Sequence, residues 1–180
     1  TEIARHELYG CTGAEMVQEM KPYFTDFPNV KNNCLRFEVS PSIEESSSFT
    51  DTDWAELGND FMQRMGLMNH QYIIIKHSGT ESKKKQAHLH ILANRISLSG
   101  ELYRDNWIGK RATEAANAIA KERDFVQSQD IGKANKAEIK EAMNEVLKKL
   151  QGFDLAKFQE ELGKLGFKVR EARASTGKLN

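Results

Sequence analysis

Hydrophobic residues recur along the first two thirds of the chain with a period of two in some segments. Residues 35–40 alternate apolar and polar side chains, and two apolar runs, 71–77 and 87–96, flank a polar loop. Alternation predicts strands, and two apolar runs joined by a short polar loop predict an antiparallel hairpin. The sequence therefore predicts three strands, with the last two paired.

Other segments space their apolar residues as helices do. A first helix is predicted to begin at Thr12, where a capping box starts, and to stop near Pro22. A second is predicted to begin at Asp53 and to end at Gly66. A third, strongly amphipathic helix is predicted over residues 104–123. Helices thus separate the strands along the chain.

The order helix, strand, helix, strand, strand, helix predicts an α+β fold in two layers, with a mainly antiparallel sheet and helices packed on it. Residues 2–9 are short and mixed and show no clear period. After a boundary at about 128–136, two more helices are predicted, followed by a short strand at 167–170. We expect a core domain over 1–127 and a small, mostly helical extension over 136–180.

The composition is that of a soluble globular protein, with 180 residues, 39% hydrophobic and 29% charged. Because the formal net charge is +0, a nucleic-acid site would have to concentrate basic residues locally. Two cysteines without metal-finger spacing favour a reducing compartment, and we expect the cytoplasm. No apolar run is long enough to span a membrane. The chain starts at Thr1 rather than Met, so we expect a fragment of a longer protein.

Three histidines are the strongest candidates for chemistry. His88 and His90 stand two residues apart in one predicted strand, so their side chains share a face of the sheet. His77 ends the neighbouring strand, and the hairpin register that places it opposite His88 also has the correct parity for His90. Three neutral imidazoles on one face predict a divalent metal site with open coordination positions, suited to Lewis-acid chemistry.

Asn94 follows four residues after His90, on the same predicted face. The opposite face of this strand carries small apolar side chains, as expected of a surface that faces a core. The alternative for such histidines is a structural one, in which they are hydrogen-bonded and partly buried without a metal.

These residues resemble a known family. The motif consists of His77 followed by His88-x-His90-x-x-x-Asn94-Arg95. It comes after a predicted strand and after a predicted helix that has Trp and Phe on one face and ends in Met-Gly. This pattern is similar to the relaxase domain of plasmid and transposon mobilisation proteins, which are HUH endonucleases.

Two further segments support the resemblance. Residues 6–20 resemble the start of mobilisation proteins from Bacteroides-like bacteria, and residues 37–42 resemble the strand before their acidic, Ser-rich loop. The resemblance covers residues 1–125, and residues 136–180 resemble the less specific region that follows.

The resemblance implies a relaxase, a DNA strand transferase that nicks single-stranded DNA at an origin of transfer and starts the mobilisation of a plasmid or transposon. It implies that His77, His88 and His90 bind a divalent metal, Mn²⁺ or Mg²⁺, which holds the scissile phosphate. It also implies that Asn94 supports these ligands or positions the substrate. Single-stranded origin DNA and accessory mobilisation proteins are the expected partners, with no role for a membrane.

In this family a tyrosine near the N-terminus attacks the phosphate and becomes joined to the 5′ end. That tyrosine belongs upstream of the segment that Thr1 begins, whereas Tyr9 lies downstream of it. We therefore assign no nucleophile within the chain and expect it upstream of Thr1. A chain without it is expected to hold metal and DNA but not to nick.

Several other residues are candidates for supporting roles. Glu38, in the middle of a strand, could orient an imidazole through its second ring nitrogen, and Ser40 could donate to a phosphate. Trp107 and Tyr103 could stack on a base, although residues at the start of an amphipathic helix more often pack in a core. The residues expected to contact the DNA backbone are basic: Lys83, Lys84, Lys85, Arg95, Arg104 and Arg111.

Two functions of other classes remain open. A metal-dependent phosphoesterase would use the three histidines with an activated water, a carboxylate base and no tyrosine. A non-catalytic DNA-binding module would have structural histidines and no metal.

Overall fold

The structure, a computed structural model, describes residues 1–78, 86–150 and 152–170. The chain divides into two compact units, residues 1–127 and residues 128–180. Its elements in chain order are β1 (Glu2–His6), α1 (Gly13–Met20), a 3₁₀ helix (Lys21–Phe24), β2 (Cys34–Val39), α2 (Ile43–Ser46), α3 (Asp51–Arg64), β3 (His70–His77), β4 (His88–Ser97), α4 (Ile108–Glu122), α5 (Ser128–Lys149) and α6 (Leu155–Lys164). Among the described residues, none of the helices combines the length and apolar character that a membrane span needs.

The first unit is built on a four-stranded antiparallel sheet in the order β1-β3-β4-β2, so the predicted α+β architecture is confirmed. The predicted hairpin is also confirmed: β3 and β4 pair in the centre, with His77 opposite His88 and Ile75 opposite His90. Strand β1 lies at one edge, with His6 opposite Tyr72. It was not predicted from the sequence.

The two faces of the sheet pack against different helices. On one face, Ile74 and Ile91 are fully buried in a core that also contains residues of α3 and α4, and Trp54 of α3 is 1% exposed. On the other face, Ile73 packs against Leu8 and against Met16 and Met20 of α1. Strand alternation places the three histidines on this second face, farther along the hairpin than α1.

Two helices begin at residues other than those predicted. The N-cap of α3 is Thr50, and its capping-box partner is Asp53, which was expected to start the helix. Helix α4 begins at Ile108, not at residue 104. The preceding residues stay outside the helix because Tyr103 donates its backbone N–H to the carbonyl of Arg95 at 2.9 Å and so remains paired with β4.

In the second unit, α5 and α6 pack together through four buried residues, Ala142, Val146, Phe158 and Leu162. The boundary segment expected at 128–136 is helical, because α5 begins at Ser128. No strand forms at residues 167–170, where one was predicted. Phe167 instead donates its backbone N–H to Leu162 and packs against the α5–α6 core.

Candidate metal centre

Three imidazoles meet at the loop end of the β3–β4 hairpin. The ring centroid of His77 lies 4.4 Å from that of His90 and 5.5 Å from that of His88. The rings of His88 and His90 are 4.8 Å apart. One nitrogen of each ring lies within 4.8 Å of a nitrogen of the other two. The structure thus brings together the three residues predicted as metal ligands.

The opposite face of the hairpin fixes the direction of these rings. Leu89, between the two histidines of β4, is fully buried in the core. The side chain of Lys76, the residue before His77, lies on the same core face as Leu89. Its ammonium is 2.7 Å from the Asp51 carboxylate and 5.8 Å from the Trp54 ring centroid. Because neighbouring strand residues point to opposite faces, these contacts direct the imidazoles away from the core.

The hydrogen bonds of His88 indicate which of its nitrogens can bind a metal. Its Nδ1 lies 3.2 Å from the Gln86 carbonyl, which can only accept, so a proton on Nδ1 satisfies this contact and Nε2 is the nitrogen available to a metal. That Nε2 lies 3.2 Å from Nε2 of His90. Two imidazole nitrogens bound to one tetrahedral ion at about 2.1 Å are about 3.4 Å apart. The donor set of three imidazoles and the spacing of this nitrogen pair therefore fit a divalent cation.

The environment of His90 favours its neutral form. Burial lowers the pKa of His90 below its ordinary 6.5, and the nearby His77, His88 and Arg36 lower it further, while Glu38 opposes them. A neutral imidazole is the form that binds metal ions. Nδ1 of His90 is buried and has no hydrogen-bond partner in the described chain.

Glu38 and Ser40 lie on or beside β2, the strand next to the histidines. Glu38 is directly opposite His90 in the β2–β4 register and is exposed, with no hydrogen bond to Nδ1 of that ring. Ser40 is exposed just past the end of the strand at Val39. Glu38 therefore lies beside the three histidines, but it makes no hydrogen bond to Nδ1 of His90, so its orienting role stays a prediction.

Asn94 lies on the histidine face but at the other end of it, about 13 Å along β4 from His90. It is fully buried. Its amide nitrogen donates to Oε1 of Gln71 at 3.0 Å and to the Met20 carbonyl at 3.4 Å, and its oxygen accepts from the backbone of Ile96 at 3.0 Å. The contacts observed for Asn94 join α1 to β3 and β4.

The predicted basic residues divide into two groups. Lys83, Lys84 and Lys85 lie outside the described residues. Arg95, Arg104 and Arg111 cluster at the end of β4 far from the histidines. Arg95 pairs with Asp105 at 2.7 Å, and Arg111 lies over the Tyr103 ring and donates to the carbonyl of Arg104.

Arg36 is a candidate that the sequence analysis missed. It is exposed on β2, on the histidine face, and pairs with Leu92 next to His90. None of the ion pairs among the described residues involves it. Alternation in 35–40 already placed Arg36 and Glu38 on one face, but the pairing of β2 with β4 was not predicted.

Tyr9, Tyr72 and Tyr103 are held by contacts away from the three histidines. Tyr9 lies three residues after His6, the last residue of β1, which pairs with Tyr72. Tyr72 is itself about 17 Å along β3 from His77. The Tyr9 hydroxyl donates to Glu7 at 3.1 Å, and this bond raises the pKa of Tyr9, which makes it a poorer nucleophile. Tyr72 and Tyr103 donate to Asn59 and to the Met65 carbonyl, and Tyr23 is in the 3₁₀ helix after α1.

The fold and the three imidazoles define a class of protein: an α+β domain with a candidate centre for metal-assisted chemistry. A family model described as "Relaxase: MobA/VirD2-like, nuclease domain" matches residues 1–125. The chain therefore belongs to the MobA/VirD2-like relaxase nuclease family, whose members bind single-stranded DNA and depend on a metal. Searches of curated proteins and of solved structures found no match.

Replacing His88 by Ala is expected to weaken Mn²⁺ binding by about 100-fold or more, because losing even an outer partner of a ligand weakens affinity 10–100-fold. Isothermal titration calorimetry measures this directly. His6→Gln is the matched control, because that ring stacks on Tyr72 on the opposite face. Equal Mn²⁺ affinity in wild type and His88→Ala would contradict the site.

Replacing Asn94 by Ala is expected to lower the free energy of unfolding by about 2–4 kcal/mol, since it leaves buried polar partners unpaired. Mn²⁺ affinity of the folded protein is expected to stay unchanged. Urea unfolding and metal titration test the two halves. Asn69→Ala, which removes one exposed hydrogen bond to Ser99, is the control. Retained stability with lost metal binding would instead place Asn94 in the metal centre.

Proposed function

We propose that this chain is the phosphate-holding part of a relaxase that nicks single-stranded DNA at an origin of transfer, with accessory mobilisation proteins as partners. The observation that carries the proposal is the β3–β4 register, which gathers His77, His88 and His90 within a chain of the relaxase nuclease family. Nicking would start the transfer of a plasmid or transposon.

The three histidines would hold the metal, with Mn²⁺ or Mg²⁺ as the proposed ion. When bound there, such an ion polarises a non-bridging phosphate oxygen and neutralises charge that develops during cleavage. The chain itself supports these ligands: burial lowers the pKa of His90 and so favours its neutral form, and the Gln86 carbonyl lies within hydrogen-bond distance of Nδ1 of His88.

We place the attacking tyrosine upstream of Thr1. The amino group of Thr1 donates to the carbonyl of Lys76 at 2.8 Å, and the Lys76 N–H donates to the Thr1 carbonyl at 2.7 Å. A segment before Thr1 would therefore leave the sheet next to His77. From there a phenol oxygen would form a bond to phosphorus while the bond between phosphorus and the 3′ oxygen breaks. The proton lost by the phenol would pass to water, and the departing 3′ oxygen would take up a proton from water to become a hydroxyl. The resulting ester at the 5′ end allows later rejoining.

Arg36 is proposed to bind the phosphate next to the scissile one. It is diagonal to His90 across the β2–β4 pair, a relation that separates Cβ atoms by about 7–8 Å. Within the described part of the chain no carboxylate forms an ion pair with this exposed guanidinium, which leaves it suited to a phosphate. Its position on the histidine face would align the strand along β2.

The position of Glu38 supports a second candidate function. An exposed carboxylate directly across from His90 could act as the base that a phosphoesterase with an activated water needs. That enzyme would release a free phosphate end and would need no tyrosine. Glu38→Gln would abolish this hydrolysis, whereas it would leave tyrosine attack in place.

A nicking assay on labelled single-stranded origin DNA with Mn²⁺ tests the function. A protein extended upstream of Thr1 is expected to form a covalent DNA adduct that survives denaturing electrophoresis, while the present chain binds DNA without forming one. No adduct with the extended protein would overturn the relaxase proposal. Cleavage without an adduct and sensitive to Glu38→Gln would show the phosphoesterase, and an adduct on the present chain would place the nucleophile within it.

Arg36→Gln is expected to weaken binding of single-stranded DNA and to reduce the slope of log affinity against log salt by about 0.7, the value for one phosphate contact on a single strand. Mn²⁺ affinity is expected to stay unchanged. Fluorescence anisotropy over a salt series gives both values. The control is Lys121→Gln, an equal charge change on α4, which packs on the opposite face. Identical slopes in the two variants would contradict the role of Arg36.

A further inference from the structure

Trp107, in the first unit, is exposed to solvent to a degree that is unusual for a tryptophan. It exposes 81% of its surface, whereas Trp54, the other of the two tryptophans, exposes 1%. An indole is one of the largest apolar groups that a protein can bury, and folding stability gains nothing from holding it in water. This exposure rules out the core position that a residue at the start of an amphipathic helix usually takes.

The backbone at Trp107 is also unfavourable for its side chain. Its φ of 55° and ψ of 28° are left-handed. It is the third residue of a turn closed by the Ile108 N–H donating to the Asp105 carbonyl at 3.1 Å, a position where a left-handed residue is usually Gly or Asn. Strain with no packing in return is found mainly at functional sites.

The turn that carries Trp107 is firmly held. The Arg95 guanidinium contacts the Asp105 carboxylate at 2.7 Å and donates to the Tyr103 carbonyl at 3.1 Å. Arg111 lies over the Tyr103 ring, with its guanidinium carbon 4.9 Å from the ring centroid. The indole therefore projects from a preorganised support and does not hang on a free loop.

Two exposed basic residues lie close to Trp107 in the sequence. Arg104 lies three residues before Trp107 and Lys110 three residues after it, and both are exposed, while the carboxylate of Asp105 is paired with Arg95. Lys110 is 3.8 Å from Glu114, an exposed pair of the kind that water and salt weaken. An isolated aromatic face flanked by cations matches unpaired nucleic acid, in which a base stacks and phosphates pair with cations. A docked protein would require a larger apolar patch.

We propose that Trp107 stacks on an unpaired base of bound DNA, with Arg104 and Lys110 on the adjoining phosphates. This inference rests on the proposed function, because the strand would be the one cleaved at the histidines. The turn adjoins Arg95, about 23 Å along β4 from His88. The contact would therefore hold a nucleotide several positions from the scissile phosphate and set the register of the strand.

Tryptophan fluorescence tests the stacking directly, because Trp54 is shielded and Trp107 is not. Unlabelled single-stranded DNA is expected to quench wild-type emission, while duplex DNA of the same sequence does not. The Trp107→Phe variant is expected to show no quenching. By anisotropy, Trp107→Ala is expected to bind single strands about 5- to 150-fold more weakly, the range for one stacked base. Trp107→Phe is expected to retain most of the affinity.

Two variants control for structure and for exposed aromatic surface. Trp107→Asn is expected to keep or raise the thermal unfolding midpoint, because Asn accepts a left-handed backbone, and still to lose affinity. Tyr9→Ala removes another exposed aromatic, 76% exposed, and is expected to bind DNA as wild type does.

Three results would overturn the inference. Unchanged DNA affinity in Trp107→Ala, a fall in the unfolding midpoint of Trp107→Asn, or self-association that Trp107→Ala abolishes would each do so. In those cases metal binding and adduct formation would still stand as tests of the relaxase proposal. If wild type bound no single-stranded DNA at all, the relaxase proposal itself would fail.

Discussion

The antiparallel register of β3 against β4 is the constraint on which the candidate site depends. A slip of one residue would turn His88 and His90 to the opposite face, toward α3, and would separate them from His77. The core prevents that slip. Ile74, Ile91 and Leu89 are completely buried on the α3 face, and a slipped register would place them in water and polar residues in the core. The packing of one face thus determines the chemistry of the other.

The histidine face has two ends with different physical roles. Near α1 the side chains are buried, and the amide of Asn94 donates hydrogen bonds to Gln71 and to the carbonyl of Met20 at the end of α1. At the loop end, His77 is exposed and the face carries Arg36 and Glu38. A polar residue on this face therefore serves the fold or the site according to its distance from the hairpin loop. The separation lets α1 stabilise the sheet without covering the imidazoles.

What could be predicted from the sequence was the part that local periodicity determines. Alternation in the runs 71–77 and 87–96 specifies faces, and pairing parity in a hairpin specifies which histidines meet. Strand β1 was missed because it is short, and because a bulge between Glu2 and Ala4 breaks the alternation of apolar and polar residues. The start of α3 was misplaced because Thr and Asp are both common N-cap residues. In the structure the Thr50 side chain accepts a hydrogen bond from the backbone N–H of Asp53, so Thr50 is the N-cap.

The remaining differences come from contacts between residues distant in the sequence. Alternation gives the face of Asn94 but not its depth, which depends on α1 covering that end. Arg36 could be placed beside His90 only after β2 was known to pair with β4. The exposure of Trp107 depends on residues before α4 remaining paired with β4 and delaying the helix. In each case a tertiary contact outweighed the local pattern.

Pulsed electron paramagnetic resonance of the Mn²⁺-loaded chain tests the central claim most directly, because it detects the nuclei bound to the ion. We predict nitrogen couplings from three imidazoles, and an added phosphorus coupling when single-stranded DNA binds. His88→Ala should lose one imidazole coupling. A spectrum without nitrogen couplings, or a phosphorus coupling that is the same with and without these histidines, would contradict the assignment of His77, His88 and His90 as the phosphate-holding metal centre.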